Sequence, residues 1–162
     1  YLSVERFNGT LLNFGIDDLE LAKTLATEYI RISPTKTQLY PNAIEVISQL
    51  SKKYTLHILT NGFSEVQFIK VDNSGLAPYF ETIITSEMAG AQKPNPIIFE
   101  YTLNKTGATK ENTLMIGDDL EADILGAQRM CIDQIFVNFQ KSAHQEKPLY
   151  EVNTLLEILD IL

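Results

Sequence analysis

The sequence predicts an α/β protein built on a doubly wound parallel sheet and preceded by a helical segment. Beyond residue 41, short apolar strands alternate with helices along the chain. These strands are apolar on both faces, as is typical of strands buried between two layers of helices. Before residue 41, apolar residues recur instead at helical spacing,. The two patterns together predict a small helical segment followed by an open parallel sheet.

The helical segment is predicted over residues 1–32 and is clearest over 17–32. Leu21, Leu25 and Tyr29 recur at helical spacing, and Asp17 and Asp18 suit a helix N-terminus, where the helix dipole favours negative charge,. The stretch "SPTKTQLYP" then interrupts the helical pattern. We therefore divide the chain into a helical segment, residues 1–40, and an α/β unit, residues 41–162.

Each element of the α/β unit has a local signal. Ser64 and Gln67 fit a capping box that opens a helix ending near residue 75,. Asn95 can cap a helix that has Pro96 at its first position and ends at Gly107,. Strands are predicted at 55–60, 82–85, 113–117 and 134–138. Further helices are predicted after Pro41, after residue 118 and near 153–160.

Composition limits the classes of partner. The 162 residues carry a formal net charge of −8, which argues against a general nucleic-acid or acidic membrane surface, because phosphates require lysine and arginine,. No stretch approaches the ~20 apolar residues of a membrane span. The single cysteine, Cys131, cannot form an internal disulfide, so a cytoplasmic location is expected,. Its apolar neighbours predict a buried, unreactive thiol.

Acidic residues cluster where the third predicted strand ends. Asp118 and Asp119 follow that strand directly, and Asp123 lies about one and a half helical turns further on,. Ligands of open parallel sheets bind beyond the carboxyl ends of the strands. Carboxylates this close repel one another unless a cation such as Mg²⁺, which prefers oxygen ligands, lies between them. The same acids also suit a helix N-terminus, and both interpretations remain open at this point.

Two further groups belong to the same edge of the sheet. Thr60 and Asn61 end the first strand before Gly62, and a hydroxyl with the backbone amides of such a turn can cradle phosphate oxygens,. Lys93 precedes Pro94, which restricts it to extended geometry on a loop,. Taken singly, the first is a plausible structural turn and the second a solvated lysine. Together with the acids, they favour a site for a phosphoryl group.

Other reactive side chains give no site prediction. His57 lies within an apolar strand, which favours a structural histidine with its hydrogen bonds satisfied. His144 lies in a polar loop, which favours a surface position.

The order of these motifs resembles that of the haloacid dehalogenase superfamily. Thr60 is similar to the hydroxyl residue of its second motif, Lys93 to the lysine of its third and "GDDLEAD" to its acidic fourth motif. Five stretches resemble more closely a branch of house-cleaning phosphatases that act on nucleoside 5′-monophosphates and related small phosphate monoesters. They are "LYPNA", "LTNGFSEVQ", "SGLAPYF", "KPNPIIFEY" and "MIGDDLEADILGA".

The resemblance implies a Rossmann-like core and an Mg²⁺-dependent phosphatase that works through an aspartyl-phosphate. By this resemblance Asp118 binds the metal directly, and Asp119 or Asp123 supports it. Lys93 would hold the nucleophile and the phosphate. Thr60 and the backbone of Asn61 would bind phosphate oxygens. The acidic motif favours a phosphatase over a true dehalogenase, which uses no Mg²⁺ and has fewer acids there.

One departure from the family pattern concerns the nucleophile. The family uses the first aspartate of a D-x-D motif, on a central strand that lies between the strands predicted here at 55–60 and 113–117. Residues 1–40 offer no such strand, since Asp17 and Asp18 fall in a helical pattern. We therefore expect residues 1–40 to be the C-terminal part of the helical cap. Residues 41–162 would be a core without its first strand.

These expectations lead to two hypotheses of function. In the first, the chain is part of a longer phosphatase whose nucleophile lies outside residues 1–162, so that these residues alone are inactive. In the second, the protein is a catalytically inactive phosphate-binding or interaction module derived from such an enzyme. The expected partner is a small phosphorylated substrate, with neither nucleic acid nor membrane, and the oligomeric state stays open.

Overall fold

The N-terminal part of the chain folds as a pair of packed helices. A computed structural model describes residues 2–162, and in it α1 (Leu2–Asn13) packs against α2 (Leu19–Ile32). The predicted helix start is confirmed, because the Asp18 carboxylate accepts the N–H of Leu21 at 2.9 Å and caps α2. Small buried side chains, Ala22 and Ala26, lie on α2 and permit close helix packing. A 3₁₀ turn, Ser33–Thr35, ends this helical pair.

From residue 43 helices and strands alternate. The strands are β1 (His57–Thr60), β2 (Thr82–Thr85), β3 (Leu114–Gly117), β4 (Asp133–Val137) and β5 (Tyr150–Val152). The helices are α3 (Ala43–Leu50), α4 (Ser64–Asn73), α5 (Ser86–Ala89), α6 (Pro96–Thr106) and α7 (Gly126–Arg129). A π-helical turn, Leu120–Leu125, leads into α7, and 3₁₀ helices occupy Ala77–Tyr79, Lys110–Asn112 and Leu156–Asp160.

Within the described residues the strand pairs are all parallel, and the strands form two sheets. β1 pairs with β2, placing Thr60 opposite Thr85. β3 pairs with β4, which pairs in turn with β5, and Gly117 lies opposite Phe136. Within residues 2–162 no ladder joins β1 to β3, so each of these strands has one unpaired edge. The predicted parallel α/β class is confirmed.

Two apolar clusters form the core of the α/β unit. One joins α3 to β4, β5 and the last 3₁₀ helix through buried side chains: Val46, Leu50, Ile135, Val137, Val152 and Ile158. The other centres on α6 and α7, with Ile98, Phe99, Ala127 and Ile132. β4 is buried from Gln134 to Val137, as expected of a strand covered on both faces,. Ile116 on β3 packs against the first cluster and Leu59 on β1 packs against the second, so the clusters support both strands that lead to the predicted site.

Several local predictions are confirmed and others are wrong. Asn95 caps α6 by accepting the N–H of Ile97 at 3.0 Å, and Gly107 ends it with a φ of 71°. The capping box predicted at Ser64 is wrong. Phe63 occupies the N-cap position, and the Ser64 N–H donates to Glu87 at 2.7 Å instead.

Three further differences lie in the C-terminal third. β5 was not predicted, and the final helix is a 3₁₀ helix, Leu156–Asp160, shorter than the span predicted. The prediction that Cys131 is buried is wrong, since its side chain is exposed at a turn residue with a φ of 58°. No helix within residues 2–162 has the length and apolar character needed to cross a membrane.

Candidate functional site

The end of β1 forms a tight turn with a hydroxyl group. Thr60 is the last residue of β1, and its Oγ1 accepts the N–H of Gly62 at 3.0 Å. Because the hydroxyl serves as acceptor in this bond, its own hydrogen remains available to donate outward. A Cβ on Gly62 would lie 2.8 Å from side-chain carbons of Gln67 on α4, so the turn lies close against that helix.

A buried ion pair lies beside this turn. The Lys93 ammonium donates to Asp123 Oδ1 at 2.5 Å and to the Leu59 carbonyl at 2.8 Å. The exposed fraction is 10% for the Lys93 side chain and 6% for the Asp123 side chain. Charges removed from water to this degree persist only when they are paired and hydrogen-bonded. The pair therefore holds the Lys93 ammonium at the carbonyl of Leu59, the residue before Thr60. This position is next to the turn that is predicted to bind phosphate.

The position of Asp123 depends on a glycine and on the π-helical turn. A Cβ on Gly117 would lie 2.5 Å from Asp123 Cβ and 2.6 Å from its Cγ, so only glycine leaves room for this carboxylate. The N–H groups of Asp123 and Ile124 both donate to the Asp119 carbonyl, at 2.9 and 3.3 Å. The second of these is the i→i−5 bond of a π-helix, a form common at functional sites.

The three predicted metal-binding acids have different surroundings. Asp119 caps the following turn by accepting the Ala122 N–H at 2.8 Å. Asp123 is held by Lys93 and by the Asp119 N–H at 3.3 Å. Asp118 is exposed beyond β3, and no hydrogen bond to its carboxylate is made by residues 2–162. In that part of the chain no three His, Cys, Asp or Glu side chains form a metal-binding group. The acids are thus neighbours without forming a complete cage.

Asn61 makes contacts that the sequence did not indicate. Its side-chain nitrogen donates to the Lys93 carbonyl at 3.0 Å, and its side-chain oxygen accepts the Lys93 N–H at 2.8 Å. The two residues are 32 positions apart, and nothing local in the sequence indicates the contact.

Arg6 is another residue that sequence reasoning missed. Its guanidinium lies 4.5 Å from the centroid of the Phe63 ring, a cation–π geometry,. It also lies 3.5 Å from the Asn61 carbonyl, which Ser86 Oγ approaches at 3.4 Å. A cation from α1 therefore reaches the turn after β1.

The two histidines lie apart from this group. His57 is three residues before Thr60, about 10 Å along the strand,. Its buried Nδ1 has no partner within residues 2–162, so the prediction of satisfied hydrogen bonds is wrong. His144 is not a surface residue as predicted: its side chain is 13% exposed, and its Nε2 lies 3.2 Å from Glu151.

A family model for haloacid dehalogenase-like hydrolases matches residues 7–137. The chain belongs to this family. It is 34% identical to YfnB, a HAD-hydrolase of Bacillus subtilis, over 97% of the chain and 67% of that protein. It is 38% identical to the pyrimidine 5′-nucleotidase PynA of Streptococcus pneumoniae, over 71% of the chain and 50% of PynA. The chain thus spans about half to two thirds of the length of these relatives.

Solved structures agree with the family assignment. The magnesium-bound crystal structure of B. subtilis YfnB superposes with a TM-score of 0.86 at 34% identity, covering 98% of this chain and 70% of YfnB. A HAD phosphatase from Thermococcus onnurineus superposes with a TM-score of 0.79 at 30% identity, and the match covers 97% of this chain and 78% of the phosphatase chain. The fold resembles that of hydrolases in this family.

Proposed function

We propose that the full-length protein is a phosphatase for small phosphate monoesters, nucleoside 5′-monophosphates among them. The observation that carries this proposal is the buried Lys93–Asp123 pair, which places an ammonium next to the Thr60 turn. The relatives support the substrate class. Besides PynA, they include the pyrimidine 5′-nucleotidase YjjG of Escherichia coli, 32% identical over 75% of the chain and 56% of YjjG.

Thr60, Asn61 and Lys93 are assigned to the phosphoryl group. The Thr60 hydroxyl and the backbone amides of the turn would donate hydrogen bonds to phosphate oxygens. The Lys93 ammonium would neutralise part of the negative charge that spreads over these oxygens in the transition state. Because Lys93 is already held by its neighbours, little reorganisation is needed when the phosphate binds.

The proposed reaction has two displacements. An aspartate carboxylate outside residues 1–162 attacks phosphorus, the phosphorus–oxygen ester bond breaks, and a neighbouring acid gives its proton to the leaving oxygen. The same acid then takes a proton from water as that water attacks the aspartyl-phosphate, which releases inorganic phosphate and restores the carboxylate. We place the strand carrying this aspartate between β1 and β3, each of which has an unpaired edge within residues 2–162.

The residues around Asp118 fit Mg²⁺ as the metal. The Asp118 carboxylate is a hard oxygen ligand of the kind that Mg²⁺ prefers. A protein often supplies only one or two such groups, and water and substrate phosphate supply the other ligands. Asp118 would bind the ion directly, while Asp119 and Asp123 would orient the loop around it. Bound there, Mg²⁺ would provide Lewis-acid stabilisation of the phosphoryl oxygens.

We also assign residues 1–40 to the cap of the intact protein. Arg6 supports this assignment, because it brings α1 into contact with the Asn61 carbonyl and the Phe63 ring. A cap in this position would exclude bulk water from the phosphoryl site.

The test is phosphate release by the full-length protein. It should hydrolyse p-nitrophenyl phosphate and nucleoside 5′-monophosphates with Mg²⁺ and lose this activity in EDTA. Lys93→Met should lower kcat/KM roughly 10²- to 10³-fold, the usual effect of losing one charge-stabilising donor. Lys105→Met, at an exposed position near the end of α6, is the matched control and should retain activity.

The outcome also separates the two hypotheses of function. If the full-length protein releases no phosphate from any member of a broad phosphomonoester panel, the phosphatase proposal is wrong. Binding of inorganic phosphate without turnover would then favour the inactive module.

A further inference from the structure

The short segment Leu59–Thr60–Asn61 contacts Lys93 at both of its ends. The Leu59 carbonyl accepts a hydrogen bond from the Lys93 ammonium, at 2.8 Å. The Asn61 side chain binds the Lys93 carbonyl at 3.0 Å and the Lys93 N–H at 2.8 Å. Between these two contacts lies Thr60, whose hydroxyl faces the turn. The segment therefore fixes the backbone and the ammonium of Lys93 at once.

We propose that Asn61 is a positioning residue whose side chain fixes the position of Lys93 relative to Thr60. A carboxamide is suited to this task because one planar group carries both a donor and an acceptor. Lysine has a flexible four-carbon stem, and fixing its backbone reduces the number of conformations in which the ammonium misses its target. This inference rests on the proposed function, since it takes the target to be a phosphoryl group.

The contact assigns Asn61 two separable roles. Its backbone amide belongs to the turn that is proposed to bind phosphate. Its side-chain nitrogen and oxygen each bond to the Lys93 backbone, so the side chain is placed to act through Lys93. Substitution of the side chain therefore tests the positioning role while the backbone amide is retained.

Two substitutions in the full-length protein distinguish positioning from general stability. Asn61→Ala removes both hydrogen bonds. Asn61→Asp keeps the acceptor for the Lys93 N–H but places a second oxygen against the Lys93 carbonyl, with no hydrogen between them. The matched controls are Asn104→Ala and Asn104→Asp, at an exposed position on α6.

At neutral pH both Asn61 variants should lose roughly 10- to 100-fold in kcat, as expected for a displaced catalytic group. As the pH falls towards the range in which a carboxyl group protonates, Asn61→Asp should regain activity relative to the native protein. Protonation restores the donor to the Lys93 carbonyl. The relative activity of Asn61→Ala should not change with pH, and a loss caused by lower stability alone would not produce this difference.

Hydrogen exchange provides a measurement that does not depend on catalysis. The Lys93 amide should exchange faster in Asn61→Ala than in the native protein, while exchange in the core strands is unchanged. Equal Lys93 exchange in the two proteins would overturn the inference. The inference would also be overturned if both Asn61 variants kept the native kcat while Lys93→Met lost activity. That result would leave the proposed function intact. Absence of turnover in the native protein would overturn the proposed function and with it the catalytic part of the inference.

Discussion

The energetic coupling between Lys93 and Asp123 should be stronger than that of an exposed ion pair of similar length. The two atoms are 2.5 Å apart, and their side chains are 10% and 6% exposed. Lys23 and Glu20 on α2 form a pair of 2.6 Å with side chains 51% and 82% exposed. At an effective dielectric constant of 20, the Coulomb attraction in the buried pair is about 7 kcal/mol before desolvation. For the exposed pair, at the dielectric constant of water, the attraction is below about 2 kcal/mol.

Desolvation offsets much of that attraction while both partners are present. Removing one partner leaves the other charge buried, at a cost of about 3–5 kcal/mol. Lys93→Met should therefore lower the unfolding temperature by about 6–20 °C, given about 2–4 °C per kcal/mol for a chain of this size. The double variant Lys93→Met/Asp123→Asn should be far more stable than the sum of its single variants predicts, because no uncompensated charge remains.

The assay is urea unfolding of the full-length protein in two double-mutant cycles. The cycle of Lys93→Met and Asp123→Asn should give a coupling energy of about 2–3 kcal/mol. The matched cycle of Lys23→Met and Glu20→Gln should give about 0.2–0.5 kcal/mol, as exposed helix pairs do. Equal coupling energies in the two cycles would show that burial does not strengthen the Lys93–Asp123 interaction, because burial is the feature that distinguishes the two pairs.

Two further predictions concern a glycine and a carboxylate. Gly117→Ala should displace Asp123 and destabilise the protein by about 1–3 kcal/mol in thermal unfolding, because the new Cβ would lie 2.6 Å from the Asp123 carboxyl carbon,. Gly9→Ala is the control and should not destabilise the protein, because its Cβ would meet no atom within 4 Å. The Asn153 N–H donates a hydrogen bond to the Glu157 carboxylate and lowers the pKa of Glu157 below its usual 4.5. This hydrogen bond should therefore stabilise the fold above pH 4.5, and its stabilisation should be lost as the pH falls through the lowered pKa. An NMR titration of Glu157 at or above the usual value would contradict this.

The parts of the fold that local chemistry determines could be predicted from the sequence. Asn95 and Gly107 bound α6 through contacts made within one or two turns, and Asp18 caps α2 in the same way. The alternation of apolar strands and helices likewise predicts a parallel sheet, because strands covered on both faces need apolar residues throughout. Such signals lie within a few residues of the feature that they predict.

Contacts between distant segments could not be predicted in this way. The N–H of Ser64 is bound by Glu87, 23 residues away, and this contact replaces the capping box. β5 has only three residues and exists through its pairing with β4. Neither contact leaves a periodic pattern in the sequence.

The candidate site was predictable to a similar extent. The spacing of the motifs predicts that Thr60, Lys93 and the acids lie at one edge of the sheet, and the structure brings Lys93 and Asp123 together beside Leu59. It could not assign separate surroundings to Asp118, Asp119 and Asp123, because the π-helical turn and the space above Gly117 decide which acid meets Lys93. The Asn61 contact depends on the path of a loop 32 residues away.

Thr60, Lys93 and Asp118 are proposed to act on one phosphoryl group. The most direct measurement is a crystal structure of the full-length protein with Mg²⁺ and inorganic phosphate. Phosphate oxygens should lie within about 3.2 Å of Thr60 Oγ1 and Lys93 Nζ, and the metal ion should be bound to the Asp118 carboxylate. Phosphate bound elsewhere, or bound at this edge without contact to Lys93, would contradict it.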